Sequence, residues 1–271
     1  MRRKVLGSIV KLLPAEARDH LRSTVGKLRG RVYAGSNYEC PCCGGRFRKM
    51  IPWDPSDPLD DNMVCPACRS QSRHRLLLTF LERETDIFSS ETRLLHFAPE
   101  SFLADRFRKY RNIEYVTADL SMARVSARLD ITSLPFENDS FDALICNHVL
   151  EHVMDDSTAI RELSRVLRPG GWAVVMVPMD RSRAETFEDP SITDPEKRLK
   201  TFGQSDHVRI YGRDFIQRLR SGSWTVRELN YAEDLDPGLR DRLALMKNEF
   251  IYTASKQPTK GDGGFYFSED Q

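Results

Sequence analysis

The chain has 271 residues, with 41 Lys and Arg against 40 Asp and Glu and a formal net charge of +1. That length holds one full α/β domain and a small module. The near-neutral balance excludes a polyanion-binding surface over the whole protein, and no run of eighteen apolar residues is present to span a membrane.

The charge is unevenly spread. Residues 1–49 carry twelve Lys and Arg against three Asp and Glu. Residues 4–29 read as helical: Val5, Leu6, Ile9, Val10 and Leu13 make one apolar face, Pro14 interrupts it, and Leu21, Val25 and Leu28 continue it. Residues 1–35 are therefore a basic amphipathic region. Such a helix docks on its own domain or meets an anionic surface, membrane or RNA, and both readings stay open. The N-terminus lacks a secretory h-region with a small-residue cleavage site, so a cytoplasmic protein, at most peripheral to a membrane, is expected.

Residues 36–72 hold two Cys-Pro-x-Cys knuckles, Cys40–Cys43 and Cys65–Cys68, separated by twenty-one residues. Each tight turn aims two thiolates at one centre, and four thiolates close a tetrahedral site without an open position. The expectation is a zinc ribbon whose metal is structural, with Cys40, Cys43, Cys65 and Cys68 as ligands. Cys42 is a spare thiol, and Cys146 lies in a buried strand. The proline-rich stretch 52–58 is a loop, and residues 72–84 form a helix leading to the main domain, with Arg73, His74 and Arg75 read as surface charge.

Residues 73–256 alternate strand and helix signals, the mark of a parallel α/β sheet. Residues 93–98 should be the first strand, followed by a turn at Pro99 and Glu100 and a helix through residue 110. Residues 115–120 make the second. Asp119 falls at its C-terminal end, about twenty residues past the first turn, where a carboxylate can accept both hydroxyls of a ribose. Residues 142–146 are a strand buried on both faces. Asn147, His148, Glu151 and His152 follow it directly, on the edge where open α/β sheets hold ligands. Residues 156–167 carry a 3.6-residue apolar stripe, Pro169-Gly170-Gly171 should end that helix, and residues 172–177 are the next strand. Residues 180–212 look like a lid or substrate-binding insertion. Its end is dense in Gln204, Asp206, His207, Arg209 and Tyr211, which are read as lining the substrate side. A helix at 213–219 and strands at 224–229 and 250–255 complete the domain, and 257–271 is expected to be a disordered tail.

The pieces Asp130-Ile131-Thr132-Ser133-Leu134-Pro135-Phe136, Ser140-Phe141-Asp142, Val149-Leu150-Glu151-His152-Val153 and Arg165-Val166-Leu167-Arg168-Pro169-Gly170-Gly171 occur in this order within about fifty residues. Together they resemble the class I S-adenosylmethionine-dependent methyltransferases, in the branch similar to the quinone-biosynthesis enzymes. The resemblance implies a Rossmann-like seven-stranded sheet whose last two strands are an antiparallel pair. It also implies S-adenosylmethionine as cofactor. The first-turn residues His96, Phe97, Ala98 and Glu100 would face its methionine part, Asp119 and Leu120 its ribose, Asp130 and Ile131 its adenine, and Asn147 and His148 its sulfonium. The chain departs from the family at the first turn, where Ala98 and Glu100 replace glycines and His96 replaces an acidic residue.

His148-x-x-Glu151-His152 also matches a peptidase metal motif. It is assigned instead to the methyltransferase strand–helix junction, because no third ligand is evident in the sequence. His148, His152 and His207 are the candidate general bases for an oxygen acceptor. Three functions remain open: O-methylation of a small molecule or glycan, methylation of ribosomal-type RNA through the ribbon and basic N-terminus, and non-catalytic binding on a degenerate fold.

Overall fold

A computed structural model describes residues 15–53, 63–122 and 125–257. The expected apolar face from Val5 to Leu13, the loop beyond Trp53 and the tail beyond Gln257 lie outside the described residues. The chain divides into two compact units: Met1–Phe80 with Tyr231–Glu249, and Leu81–Asn230 with Phe250–Gln271.

The first unit starts with helix α1 (Ala15–Val32), then a hairpin of β1 (Ala34–Cys40) and β2 (Gly45–Phe47), the short pair β3 (Ile51–Pro52) and β4 (Met63–Val64), and the start of α2 (Ser72–Glu84). A Cβ on Gly26 of α1 would meet the Ala67 carbonyl at 2.3 Å, so glycine is what lets this helix approach the second knuckle. The described part of the apolar stripe is exposed. Leu28 is 62% exposed, and Leu21, Val25 and Val32 are exposed as well.

The sequence reading also leaves residues 231–249 in the main domain, whereas they belong to the cysteine unit. Arg75 supplies the reason. It is no surface charge: its side chain is fully buried and donates to the carbonyls of Leu243 (2.6 Å), Ala244 (2.6 Å), Ser70 (2.7 Å) and Met63 (2.9 Å). A buried guanidinium needs its donors matched, and the returning segment provides half of the acceptors. That segment contains two short helices, α7 (Tyr231–Asp234) and α8 (Pro237–Arg242).

The second unit is built on a seven-stranded sheet. In chain order its strands are β5 (Thr92–Phe97), β6 (Ile113–Asp119), β7 (Ala127–Arg128), β8 (Phe141–Asn147), β9 (Leu167–Met176), β12 (Thr225–Leu229) and β13 (Ile251–Ser255). Their spatial order is β12-β13-β9-β8-β5-β6-β7. β13 runs antiparallel to both neighbours, and the remaining pairs are parallel. Helices α3 (Ser101–Phe107), α4 (Asp156–Val166) and α6 (Phe215–Arg220) accompany it. All of β8 except Asp142 is buried, as its apolar run requires.

One boundary differs from the expected one. α4 ends at Val166, and β9 begins at once with Leu167 extended (φ −75°, ψ 128°). Arg168 precedes a proline and is disfavoured in the helical region, so the helix stops before the Gly-Gly pair rather than at it. The glycines serve a bulge instead, with Gly170 at φ 75° where the β8–β9 register shifts.

Residues 180–212 fold back as a hairpin of β10 (Phe187–Glu188) and β11 (Arg209–Ile210), with α5 (Pro195–Phe202) between them. Asp194 caps α5 by accepting from the Lys197 N–H, and Gly203 closes it at φ 86°. Among the described residues no helix is long and apolar enough to cross a membrane.

Candidate functional site

Register fixes which residues share the carboxyl edge of the sheet. Phe97 stands opposite Ala118 on one side and Cys146 on the other. The next residues, Ala98, Asp119 and Asn147, are therefore level. Strand order reverses between β5 and β8, and ligands of open α/β sheets occupy the crevice at such a reversal.

Ala98 has φ 46°, the left-handed region that favours glycine. The turn thus holds an alanine in a conformation that glycine adopts without steric cost. The neighbouring side chains turn inward. His96 is buried, with Nδ1 2.9 Å from the Tyr115 hydroxyl and Nε2 3.2 Å from Glu100 Oε2. His96 and Glu100 brace the turn with their side chains, and Phe97 is buried in the core. What this loop offers a ligand is the backbone around Ala98.

Asp119 and Asp130 sit at adjacent strand ends. Asp119 pairs with Arg128, and its carbonyl accepts from the Leu129 N–H at 3.1 Å. Each carboxylate uses one oxygen to hold its own turn. Asp119 Oδ1 accepts from the N–H groups of Ser121 (2.7 Å) and Met122 (2.6 Å), and Asp130 Oδ1 from the Thr132 N–H (2.9 Å) and hydroxyl (2.7 Å). The Thr132 N–H, then its hydroxyl, hold the Asp130 carboxyl below the usual carboxylate range. Leu120 is 72% exposed beside Asp119, whereas Ile131 is buried.

Across the reversal, Asn147 is buried with neither side-chain amide atom bonded to a described residue. His148 follows at φ 54°, its N–H donating to the Met176 carbonyl at 2.7 Å. A non-glycine residue held left-handed at a strand end is a strained position of the kind found at ligand clamps. His148 Nδ1 lies 3.4 Å from Glu151 Oε1, and its Nε2 has no described partner. Glu151 and His152 share a 3-10 turn (Leu150–His152). The His152 ring packs edge-on to His207 at 4.7 Å, and its Nδ1 is 3.3 Å from both the Asp206 carboxylate and the Asp206 carbonyl. Burial pushes His207 below the usual imidazole range, so it is neutral near pH 7.

The remaining residues of the insertion's end behave differently. Buried Arg209 donates to the carbonyls of Leu150, Val153 and Met154 and pairs with Glu188 at 2.9 Å. Tyr211 is fully buried and donates to Asp156 at 2.9 Å. Arg209 pins the hairpin to the turn after β8 and Tyr211 pins it to the start of α4, so their polar atoms are engaged within the protein. Gln204 is exposed. The sequence already places Glu151 on this edge with Asn147 and His148; only the fold brings a ligand atom of it within 4.8 Å of one of His207.

The four expected cysteines of the first unit converge. Cys40 and Cys68 Sγ are 3.7 Å apart, as are Cys43 and Cys65, and all four lie within 4.8 Å of one another. The 3.7 Å spacings match the edge of a tetrahedron with bonds of about 2.3 Å to a central zinc. Ser70 Oγ touches the sulfurs of Cys40 (3.1 Å) and Cys68 (3.3 Å). The residues after the knuckles, Gly44 and Arg69, share one conformation at φ 68° and 69°.

Comparison with known proteins follows the same outline. Residues 100–175 match the family model described as a methyltransferase domain. A demethylmenaquinone methyltransferase of Mycobacterium marinum is 52% identical over 46 residues, 17% of this chain and 20% of that protein. One from Mycobacterium sp. strain KMS is 35% identical over 86 residues, 27% of this chain and 37% of that protein. The matches thus span little more than a third of these relatives at most. Among solved structures, the cyclase SpnF superposes with a TM-score of 0.50 at 18% identity, covering 80% of this chain and 91% of that one. That likeness concerns the fold alone.

Proposed function

We propose that this chain, a member of the class I S-adenosylmethionine-dependent methyltransferase family by its central domain, transfers a methyl group to an oxygen of a small-molecule acceptor. The observation that carries the reading is the edge where Ala98, Asp119 and Asn147 stand level, with Asp130 beside Asp119. When bound, S-adenosylmethionine supplies an electrophilic methyl on a sulfonium, the part of the chemistry that belongs to the cofactor.

The chain's own residues fit that cofactor. The backbone at Ala98 leaves room for the methionine part. Among the described residues, one oxygen of Asp119 and one of Asp130 accept no hydrogen bond, that of Asp119 suiting ribose hydroxyls and that of Asp130, with the Ile131 N–H, adenine. Leu120 gives the nucleoside an apolar surface. Asn147 carries buried amide atoms that need a partner. His148, His152 and His207 are the bases available to an acceptor hydroxyl, and the insertion carrying His207 excludes water and holds the acceptor in line.

The relatives named above act, by their names, on demethylmenaquinone, which supports a small-molecule acceptor. The thiolates of Cys40, Cys43, Cys65 and Cys68 would hold a structural zinc. Buried Arg75, close to these sulfurs, offsets part of their charge.

The test is incubation with S-adenosylmethionine carrying a labelled methyl group and cell extract, followed by separation into solvent-extractable small molecules, glycan and RNA. Label in the small-molecule fraction is expected. Label confined to RNA or glycan overturns the acceptor class, and cofactor binding with no label anywhere points to a binding protein.

A further inference from the structure

The geometry points to a second metal centre, in which Glu151, His152 and His207 bind a divalent transition-metal ion on the acceptor side of the crevice. One ligand atom from each of the three residues lies within 4.8 Å of the others. The sequence motif lacked a third ligand; the insertion brings His207 to it, and His148 is replaced in the set.

Glu151 is the independent sign. Its side chain is 2% exposed, and Oε2 has no hydrogen-bond partner among the described residues. Among the described residues its ion-pair neighbour is His148, at 3.4 Å. Arg209, which bonds the neighbouring Leu150 carbonyl, is itself paired with Glu188 and Asp156. A buried carboxylate left in this state calls for a cation.

The His152 imidazole is oriented as a ligand is. Its Nδ1 meets the Asp206 carboxylate and carbonyl, and its ring packs edge-on against His207. Such a partner fixes the tautomer and leaves the other nitrogen as an acceptor. Two imidazoles and one carboxylate favour Zn(II), Fe(II), Co(II) or Mn(II) over Mg(II) and Ca(II). Three protein ligands leave open positions, unlike the closed cysteine site. The metal site stands on this geometry alone; its use, to hold an oxygen of the acceptor with His148 left as the base, rests on the methyl-transfer reading.

The test takes the full chain with one zinc per molecule at the cysteines and titrates it with Co(II), followed by visible absorption and calorimetry. One further Co(II) per chain is expected, with d–d bands and no thiolate charge-transfer band. His152→Ala and Glu151→Gln should each weaken it about 100-fold, at the upper end of what loss of a mere supporting partner costs. His152 is partly exposed, so its variant answers even if Glu151→Gln does not fold. No second equivalent, a thiolate band alone, or equal affinity in wild type and His152→Ala would overturn the site. S-adenosylhomocysteine binding on the same samples separates the two readings: metal uptake without cofactor binding removes methyl transfer and keeps the site, and the converse removes the site alone.

Discussion

Replacing Ala98 with glycine should stabilise the protein, although glycine in or beside a strand ordinarily weakens it. Ala98 is held at φ 46°, and its N–H donates to the Ala118 carbonyl at 2.9 Å, so the turn cannot relax without losing sheet contact. An L-residue in the left-handed region costs about 1–2 kcal/mol, which glycine avoids. Glycine loses about 0.5–1 kcal/mol more backbone entropy on folding than alanine. The difference leaves a gain of about 0.5–1 kcal/mol, equal to a rise of roughly 1–4 °C in the melting temperature for a unit of this size. Scanning calorimetry reads it, with Ala118→Gly as the control. Ala118 is fully buried in β6, so its loss should lower the transition instead. If Ala98→Gly melts below wild type as the control does, the left-handed turn, and with it the account of the cofactor loop, is wrong.

Other consequences are equally concrete. Arg75→Met strips donors from four carbonyls, at a cost of about 3–5 kcal/mol by the measure of broken buried pairs, and should release zinc to a chromogenic chelator at a lower temperature. Cys42→Ser should retain one zinc per chain while Cys43→Ser loses it; equal retention in both would reassign the ligands. Arg165, through its hydrogen bonds, holds Glu162 below the ordinary value of 4.5, and Glu162 also accepts from the Leu134 N–H at 2.8 Å. A carboxyl lowered by folding adds stability that is complete above pH 4.5 and is lost as pH falls through the lowered value. Glu162→Gln should therefore flatten the acid limb of the melting curve below pH 4.5 and leave its shape near neutrality alone.

How far the sequence carries depends on whether a feature is local. β8, α4 and the cysteine knuckles were readable because periodicity, apolar runs and paired turns lie within a few residues of each other. Even α5, passed over as part of a charged insertion, has Asp194-Pro195 at its start and Gly203 at its end, a complete set of capping signals. Arg75 was not readable. On the sequence it is one more charge among Arg73, His74 and Arg75, and only the return of residues 243–244 turns it into a buried anchor. Arg209 and Tyr211 mislead for the same reason: polar density near a site signals either contact with a ligand or a network that holds a segment down, and burial separates the two. Glu151 and His207 meet only through the hairpin of the insertion, so no spacing rule joins them.

The claim beneath the rest is that a nucleoside rests on the two carboxylates after β6 and β7. Calorimetric titration with S-adenosylhomocysteine of wild type and Asp119→Ala tests it most directly. Binding at a single site is predicted for wild type, with affinity reduced about 10- to 100-fold in the variant, the loss of charge-assisted hydrogen bonds to ribose. Wild type that takes up none, or a variant that binds as tightly, would contradict it.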